Sequence, residues 1–227
     1  MNSLVKISAS LSCVDLLNLK SEIENIEKSD IDFIHYDVVD GEFNDCFVFG
    51  DITLQKVRKI VKKPIEVHLG VNDIEKYLNP FVRAGADYIA VHYESMKDPF
   101  EIFKEIRILG SKPVLAFKAD TDVPHNFIDM AKEVEWILKL TVNPGYAGQT
   151  IQLCAIEHIR KMRRLLKENC IDIPIQADGN INKDTVPLVT EAGADILTGG
   201  SSGLFNKKNT LFENIRILKN CARKFKD

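Results

Sequence analysis

No two cysteines are spaced as CxxC, and the five present, Cys13, Cys46, Cys154, Cys170 and Cys221, are odd in number and widely scattered. This excludes a complete disulfide framework and a zinc ribbon, and it points to reduced thiols in a cytoplasmic protein. An excess of positive charge is also missing, since 30 Lys and Arg face 33 Asp and Glu for a formal net charge of −3. Phosphate backbones are gripped by basic stripes, so nucleic acid is not an expected partner. No stretch approaches the roughly 20 apolar residues of a membrane span. The opening MNSLVKISASLSC has one lysine and no long apolar run before a small-residue cleavage site, so neither a membrane nor a secretory route is expected. There is no Pro/Gly/Ser linker and no low-complexity segment, which argues for one domain. No GxGxxG follows the first apolar run, which argues against a dinucleotide fold.

What is present is alternation. The chain has 227 residues, 45% of them hydrophobic, enough for one large core. Short β-branched or aromatic runs at 5–9, 33–37, 65–69, 88–91, 113–117, 136–141, 173–177 and 196–198 read as strands. Between them lie amphipathic stretches, with the apolar i, i+3, i+4 spacing clearest at 14–27, 74–83, 156–167 and 212–223, and with Asp73 and Asp184 placed as helix starters. RAGADYIAVH and EAGADILTGG repeat one step, a helix ending in Ala-Gly followed by Ala-Asp and a buried strand. About eight such units predict an α/β fold, a (β/α)8 TIM barrel over residues 1–227, with an open doubly wound sheet as the rival.

In such a barrel, reactive groups stand where strands hand over to the following loops. Ser10 follows the first strand, and His35 and Asp37 end the second at i, i+2, on one face. His68 ends the third, His92 and Glu94 follow the fourth, and Lys118, Asn143 and Asp178 follow the fifth, sixth and seventh. A lone strand-end histidine is usually hydrogen-bonded structure. Two imidazoles and two carboxylates converging above one barrel end form a set that suits one divalent ion: zinc, iron(II), manganese or cobalt. His125 and His158 have no such partners in sequence and read as surface residues. Three glycine-rich turns, NPGYAGQT, ADGN and TGGSSG, follow the last three strands, where backbone N–H groups of (β/α)8 barrels commonly take a phosphate.

Together these residues resemble the ribulose-phosphate 3-epimerase family. SASLSCVDL is similar to its opening Ser-containing strand, IHYDVVDGEF to its His-x-Asp strand and EVHLGV to its third strand. VHYES, LTVNPGYAGQ and ADGN continue the match in order over nearly the whole chain. SLSCVDLL and SSGLFN are most similar to the branch acting on allulose 6-phosphate. The resemblance implies a cytoplasmic, metal-dependent epimerase of small ketose phosphates, an isomerase commonly found as a homo-oligomer, which inverts C3 through a cis-enediolate. It implies His35, Asp37, His68 and Asp178 as metal ligands, with Asp37 and Asp178 also the acid/base pair. Ser10, His68, Gly145, Tyr146, Ala147, Gly148, Gly179, Asn180, Gly200, Ser201 and Ser202 are then substrate contacts. The substrate pair is ribulose 5-phosphate and xylulose 5-phosphate, or allulose 6-phosphate and fructose 6-phosphate.

The sequence also departs from that pattern. Val39, Gly70 and Leu140 stand where the family usually has methionines, Glu42 replaces a histidine, the Pro-Asn of the following loop is absent, and Asn180 replaces a glycine. Gly70 is expected to open room beside the reacting carbons for a longer ketose. Two other readings keep the barrel: a sugar-phosphate decarboxylase or aldolase, for which Lys118 offers a Schiff-base amine, and a non-catalytic sugar-phosphate-binding protein.

Overall fold

Among the described residues eight short runs, mostly apolar and buried on both faces, form strands, and the amphipathic segments between them cover the outside. The computed structural model describes residues 5–143 and 148–223. The strands are β1 (Lys6–Ser10), β2 (Phe33–Val39), β3 (Ile65–Gly70), β4 (Tyr88–His92), β5 (Lys112–Phe117), β6 (Ile137–Leu140), β7 (Ile175–Asp178) and β8 (Ile196–Gly199). Each pairs in parallel with its chain neighbours, and β8 returns to β1, closing the barrel. Following the strands in turn are α1 (Leu19–Lys28), α2 (Asp51–Arg58), α3 (Ile74–Ala84), α4 (Pro99–Leu109), α5 (Phe127–Ala131), α6 (Leu153–Glu168), α7 (Val186–Ala192) and α8 (Leu211–Arg223). The open sheet is therefore excluded, and the (β/α)8 expectation holds.

Two apolar layers form. Ile7, Ile34, Tyr36, Val67, Leu69 and Val91 pack under the helices, while Phe33, Ala90, Val114, Trp136, Leu138 and Ile196 fill the barrel interior. Each fully buried Leu, Ile or Val contributes about 1.5–3 kcal/mol relative to exposure, so this double layer holds the strand ends at fixed positions.

The repeated Ala-Gly-Ala-Asp step has a physical basis. Gly85 and Gly193 end α3 and α7 at φ +109° and +114°, left-handed values that favour glycine. An added Cβ would come within 2.5 Å of Arg58 at the first and 2.7 Å of Arg163 at the second. Two residues on, the Asp87 carboxylate accepts from the N–H of Ile65 at 2.8 Å, and Asp195 does the same for Ile175 at 3.1 Å. Arg58 and Arg163 complete each pair by donating to those carboxylates. One construction thus starts two strands from the bottom of the barrel.

Several expected boundaries shift. The helix expected from residue 14 begins at Leu19, because 3-10 turns occupy Leu11–Cys13 and Leu16–Asn18, and Asp15 accepts from the Leu17 N–H at 3.1 Å. Asp184 does not start α7. Thr185 holds the position before it, while Asn182 Oδ1 accepts from the Asp184 and Thr185 N–H groups. Among the described residues no helix is long and apolar enough to cross a membrane.

Candidate active site

The carboxyl ends of β2, β3 and β7 carry the polar residues at issue. Because β2 and β3 pair with His35 opposite Glu66 and Asp37 opposite His68, four polar side chains enter the barrel on two adjacent strands. Asp178 joins them from β7. One ligand atom from each of His35, Asp37, His68 and Asp178 lies within 4.8 Å of every other. His35 Nε2 is 2.9 Å from Asp37 Oδ1 and 3.3 Å from Asp178 Oδ2, and His68 Nδ1 is 3.3 Å from Asp37 Oδ1. Two nitrogens and two carboxylates so arranged match what a divalent cation of borderline hardness requires.

The electrostatics favour a cation here. Burial opposes charge on His35, yet Asp37, Asp178 and Glu66 outweigh it and raise its basicity well above the ordinary imidazole value. Burial likewise pushes the Asp37 carboxyl up, but His35 and hydrogen bonds from His35 and His68 hold it well below the usual range. The concentrated negative charge therefore has a strong preference for positive charge at this point.

Below the cluster is a buried polar floor. Glu66, with no exposure, accepts from His35 Nδ1 at 2.7 Å, from Trp136 Nε1 at 3.1 Å and from Gln176 Nε2 at 2.9 Å. Gln176 Nε2 also donates to Thr198 Oγ1 at 2.9 Å. A buried carboxylate is costly unless its oxygens are satisfied, and three donors do so here. On the other side of the cluster, Asp37 Oδ2 accepts from both the Ser10 and the Ser12 hydroxyls, at 3.0 and 2.9 Å. One oxygen of Asp37 thus faces the imidazoles and the other is fixed by hydroxyls.

A cavity of about 170 Å3 opens above these groups. It is lined by Ser10, Asp37, His68 and Asp178 together with Gly148, Gly179, Asn180, Gly200, Ser201 and Ser202. Gly145, Tyr146 and Ala147 lie outside the described residues. At Gly179 the φ of +119° and a prospective Cβ 2.6 Å from Val142 require glycine, and Asn180 follows at φ +50°, a conformation asparagine tolerates. That explains how an asparagine occupies a position where the resemblance has glycine. His35 is sealed beneath the cavity with no exposed surface.

Other expectations are corrected. Gly70 does line the cavity, as do Val39 and Leu140, but its space is not open. A Cβ there would meet the Phe43 ring and the Val38 carbonyl oxygen, each at 3.3 Å. Lys118 holds its Nζ 4.1 Å from the Phe43 ring centroid, and the cavity lining does not include it. His125 is exposed as expected, whereas His158 is half-buried, its Nδ1 3.3 Å from the Ala119 carbonyl oxygen. Asp40 shapes its turn, accepting from the Glu42 and Phe43 N–H groups.

Sequence reading did not single out Glu66, Gln176, Ser12 or Phe43. Glu66 had a usable signal, a charge at i−2 from His68 inside an otherwise apolar strand. Ser12 had none, because it reaches Asp37 only through the 3-10 turn after β1.

Fold and cluster together define a (β/α)8 barrel with a partly buried group of two imidazoles and two carboxylates, able to hold a metal ion, at the carboxyl ends of its strands. The profile of the ribulose-phosphate 3-epimerase family matches residues 6–205. The ribulose-phosphate 3-epimerase of Methanocaldococcus jannaschii is 36% identical over 94% of this chain and 90% of its own, and that of Bacillus subtilis is 33% identical over 92% and 98%. The chain belongs to the ribulose-phosphate 3-epimerase family, and it is an isomerase of the epimerase class. Among solved structures, a 3-hexulose-6-phosphate synthase superposes with a TM-score of 0.66 at 16% identity, covering 95% of this chain and 99% of its own. The N-(5'-phosphoribosyl)anthranilate isomerase of Pyrococcus furiosus does so with 0.64 at 14%, covering 97% and 99%. At those identities the likeness is one of fold.

Proposed function

We propose that the protein is a metal-dependent ketose-phosphate 3-epimerase interconverting ribulose 5-phosphate and xylulose 5-phosphate. The observation that carries this reading is that Asp37, His68 and Asp178 share one cavity with the glycine turns after β6, β7 and β8. A substrate with its phosphate on those turns extends its sugar carbons toward the two aspartates. His35, Asp37, His68 and Asp178 would hold one divalent ion, which when bound supplies Lewis-acid polarisation of the substrate's oxygens.

Inversion at C3 requires a proton to leave one face and another to arrive on the opposite face. Asp37 and Asp178 come from β2 and β7, separated in the barrel by β1 and β8, so they approach the cavity from different walls. One removes the C3 proton to give the cis-enediolate and the other delivers a proton to the far face, with roles exchanged in reverse. Ser10 and Ser12 hold Asp37 Oδ2 in place through this exchange, and the turns at Gly148, Gly179 and Gly200–Ser202 exclude water and orient the phosphate.

A pentulose is favoured over a hexulose because Phe43 takes up the room that Gly70 leaves. The relatives that carry the family assignment are also named for ribulose phosphate. Against the Schiff-base form of the aldolase and decarboxylase readings, Lys118 lies over Phe43 and is not among the residues that line the cavity. Cytoplasmic action and a homo-oligomer are part of the same proposal. Incubating the metal-loaded protein in deuterated water with pentulose and hexulose phosphates tests it. Deuterium at C3 without carbon–carbon cleavage is expected, fastest with ribulose 5-phosphate. Cleavage would overturn the reaction, and a higher kcat/KM for allulose 6-phosphate would overturn the substrate.

A further inference from the structure

His68 presents Nδ1 to the cluster, and its other nitrogen does not reach water. Its Nε2 lies 2.9 Å from Nε2 of His92, which is fully buried on β4. His92 Nδ1 in turn is 3.0 Å from Glu94 Oε2, just beyond that strand. The second oxygen, Glu94 Oε1, accepts from the Lys118 N–H at 2.8 Å. The Phe43 ring lies against His92, tilted by 47°, with ring centroids 4.7 Å apart.

Hydrogen-bond polarity can be followed along this chain. A carboxylate can only accept, so His92 carries its proton on Nδ1 and leaves the lone pair of Nε2 toward His68. That lone pair accepts from His68 Nε2–H, which leaves His68 Nδ1 as the nitrogen able to turn a lone pair to an ion held with Asp37 and Asp178, in place of the hydrogen bond it gives Asp37 in the ion's absence. We propose that Glu94 is a positioning residue that acts through His92 to fix His68 in its metal-binding tautomer. This rests on the reading of His68 as a metal ligand, and it gives the second imidazole of the cluster an orienting carboxylate by relay, where His35 has Glu66 by direct contact.

The polarity argument makes one isosteric change decisive. In Glu94→Gln the amide oxygen still accepts from the Lys118 N–H, while the amide nitrogen now donates to His92 Nδ1. His92 must then carry its proton on Nε2 and donate it to His68, which blocks the tautomer the metal needs. Glu94→Asp keeps a carboxylate acceptor. The test is a zinc titration of the full chain by chelator competition, with nitrogen-15 NMR of the histidine rings. Expected are a 10- to 100-fold weaker zinc affinity in Glu94→Gln, a substantial recovery in Glu94→Asp, and the His92 proton on Nδ1 in zinc-loaded wild type but on Nε2 in metal-free Glu94→Gln. Unchanged zinc affinity in Glu94→Gln, or a His92 proton on Nε2 in the zinc-loaded wild type, would overturn the relay. Failure of the wild-type chain to bind zinc would overturn the metal-site reading, and the relay with it. Neither measurement uses a sugar, so a failed epimerase reaction would leave both results standing.

Discussion

The two ends of the cavity are built from different materials. At one end, His35, Asp37, His68 and Asp178 are side chains on strands, locked by register and by a floor of Glu66, Trp136 and Gln176. At the other, Gly148, Gly179, Gly200 and their neighbours offer backbone from connecting turns. Side-chain acids and imidazoles can move protons and hold a cation, whereas backbone amides can only bind and orient. Under the proposed function, chemistry belongs to the strand end and affinity for the phosphate to the loop end, and substitutions at each should separate kcat from KM.

The largest effect is expected at the strand end. Asp178→Asn removes one of the two proposed proton carriers while keeping the shape of a side chain that is 16% exposed. kcat should fall about 10^3-fold, within the 10^2–10^4 range for loss of a general acid or base, and KM should change little. Steady-state kinetics at saturating metal would measure this. A kcat within tenfold of wild type would break the assignment of chemistry to this end.

At the loop end the pattern should reverse. Gly179→Ala places a Cβ 2.6 Å from Val142 and 3.0 Å from its backbone nitrogen, at a φ of +119°. The turn must shift, at a cost of about 1–3 kcal/mol in backbone strain. KM for the ketose phosphate should rise about tenfold, equivalent to about 1.4 kcal/mol of lost binding, with a smaller change in kcat. A kcat loss without a KM change would show that the turn serves the chemistry instead.

Legibility in the sequence follows the same division. The strand end could be read because period two places His35 and Asp37 on one face, and because polar residues at the ends of apolar strands are conspicuous. Its support was harder to see. Glu66 and Gln176 partner each other across 110 positions of chain, a contact that only barrel closure creates. Ser12 reaches Asp37 through a 3-10 turn that no periodicity announces. The volume at Gly70 was misread for a related reason. A missing side chain looks like space in a sequence, but Phe43, 27 positions away, already fills it.

That filling can be tested on stability. Gly70→Met restores the family's residue, yet its Cβ would start 3.3 Å from Phe43 and from the Val38 carbonyl oxygen. Overpacking should destabilise the fold by about 1–3 kcal/mol, read as a lower urea midpoint, and Phe43→Ala in the same chain should recover part of the loss. A stable single variant with faster turnover would mean that Phe43 moves aside easily, and the pentulose argument would weaken.

The last effect concerns a buried charge facing the other way. Inside the barrel His35 has carboxylates around it and its basicity is raised. Lys139, on the outward side of β6, is also fully buried, but its Nζ donates at 2.6 Å to the Lys118 and Thr121 carbonyl oxygens. Burial dominates there and pushes its pKa down to about 8, against partial support from Glu94 and other acidic groups. The unfolded chain therefore holds a proton on this lysine between about pH 8 and about 10.4 that the folded chain has released. Below that window the burial penalty is present in full, and stability contributed at this site rises with pH through it, by at most about 1.4 kcal/mol per pH unit. Lys139→Met abolishes the titration, so the stability difference between wild type and variant should shift in favour of wild type from pH 7.5 to pH 10. Urea denaturation across that range measures it, and parallel curves for the two proteins would mean that the two carbonyls keep Lys139 charged as comfortably as water does.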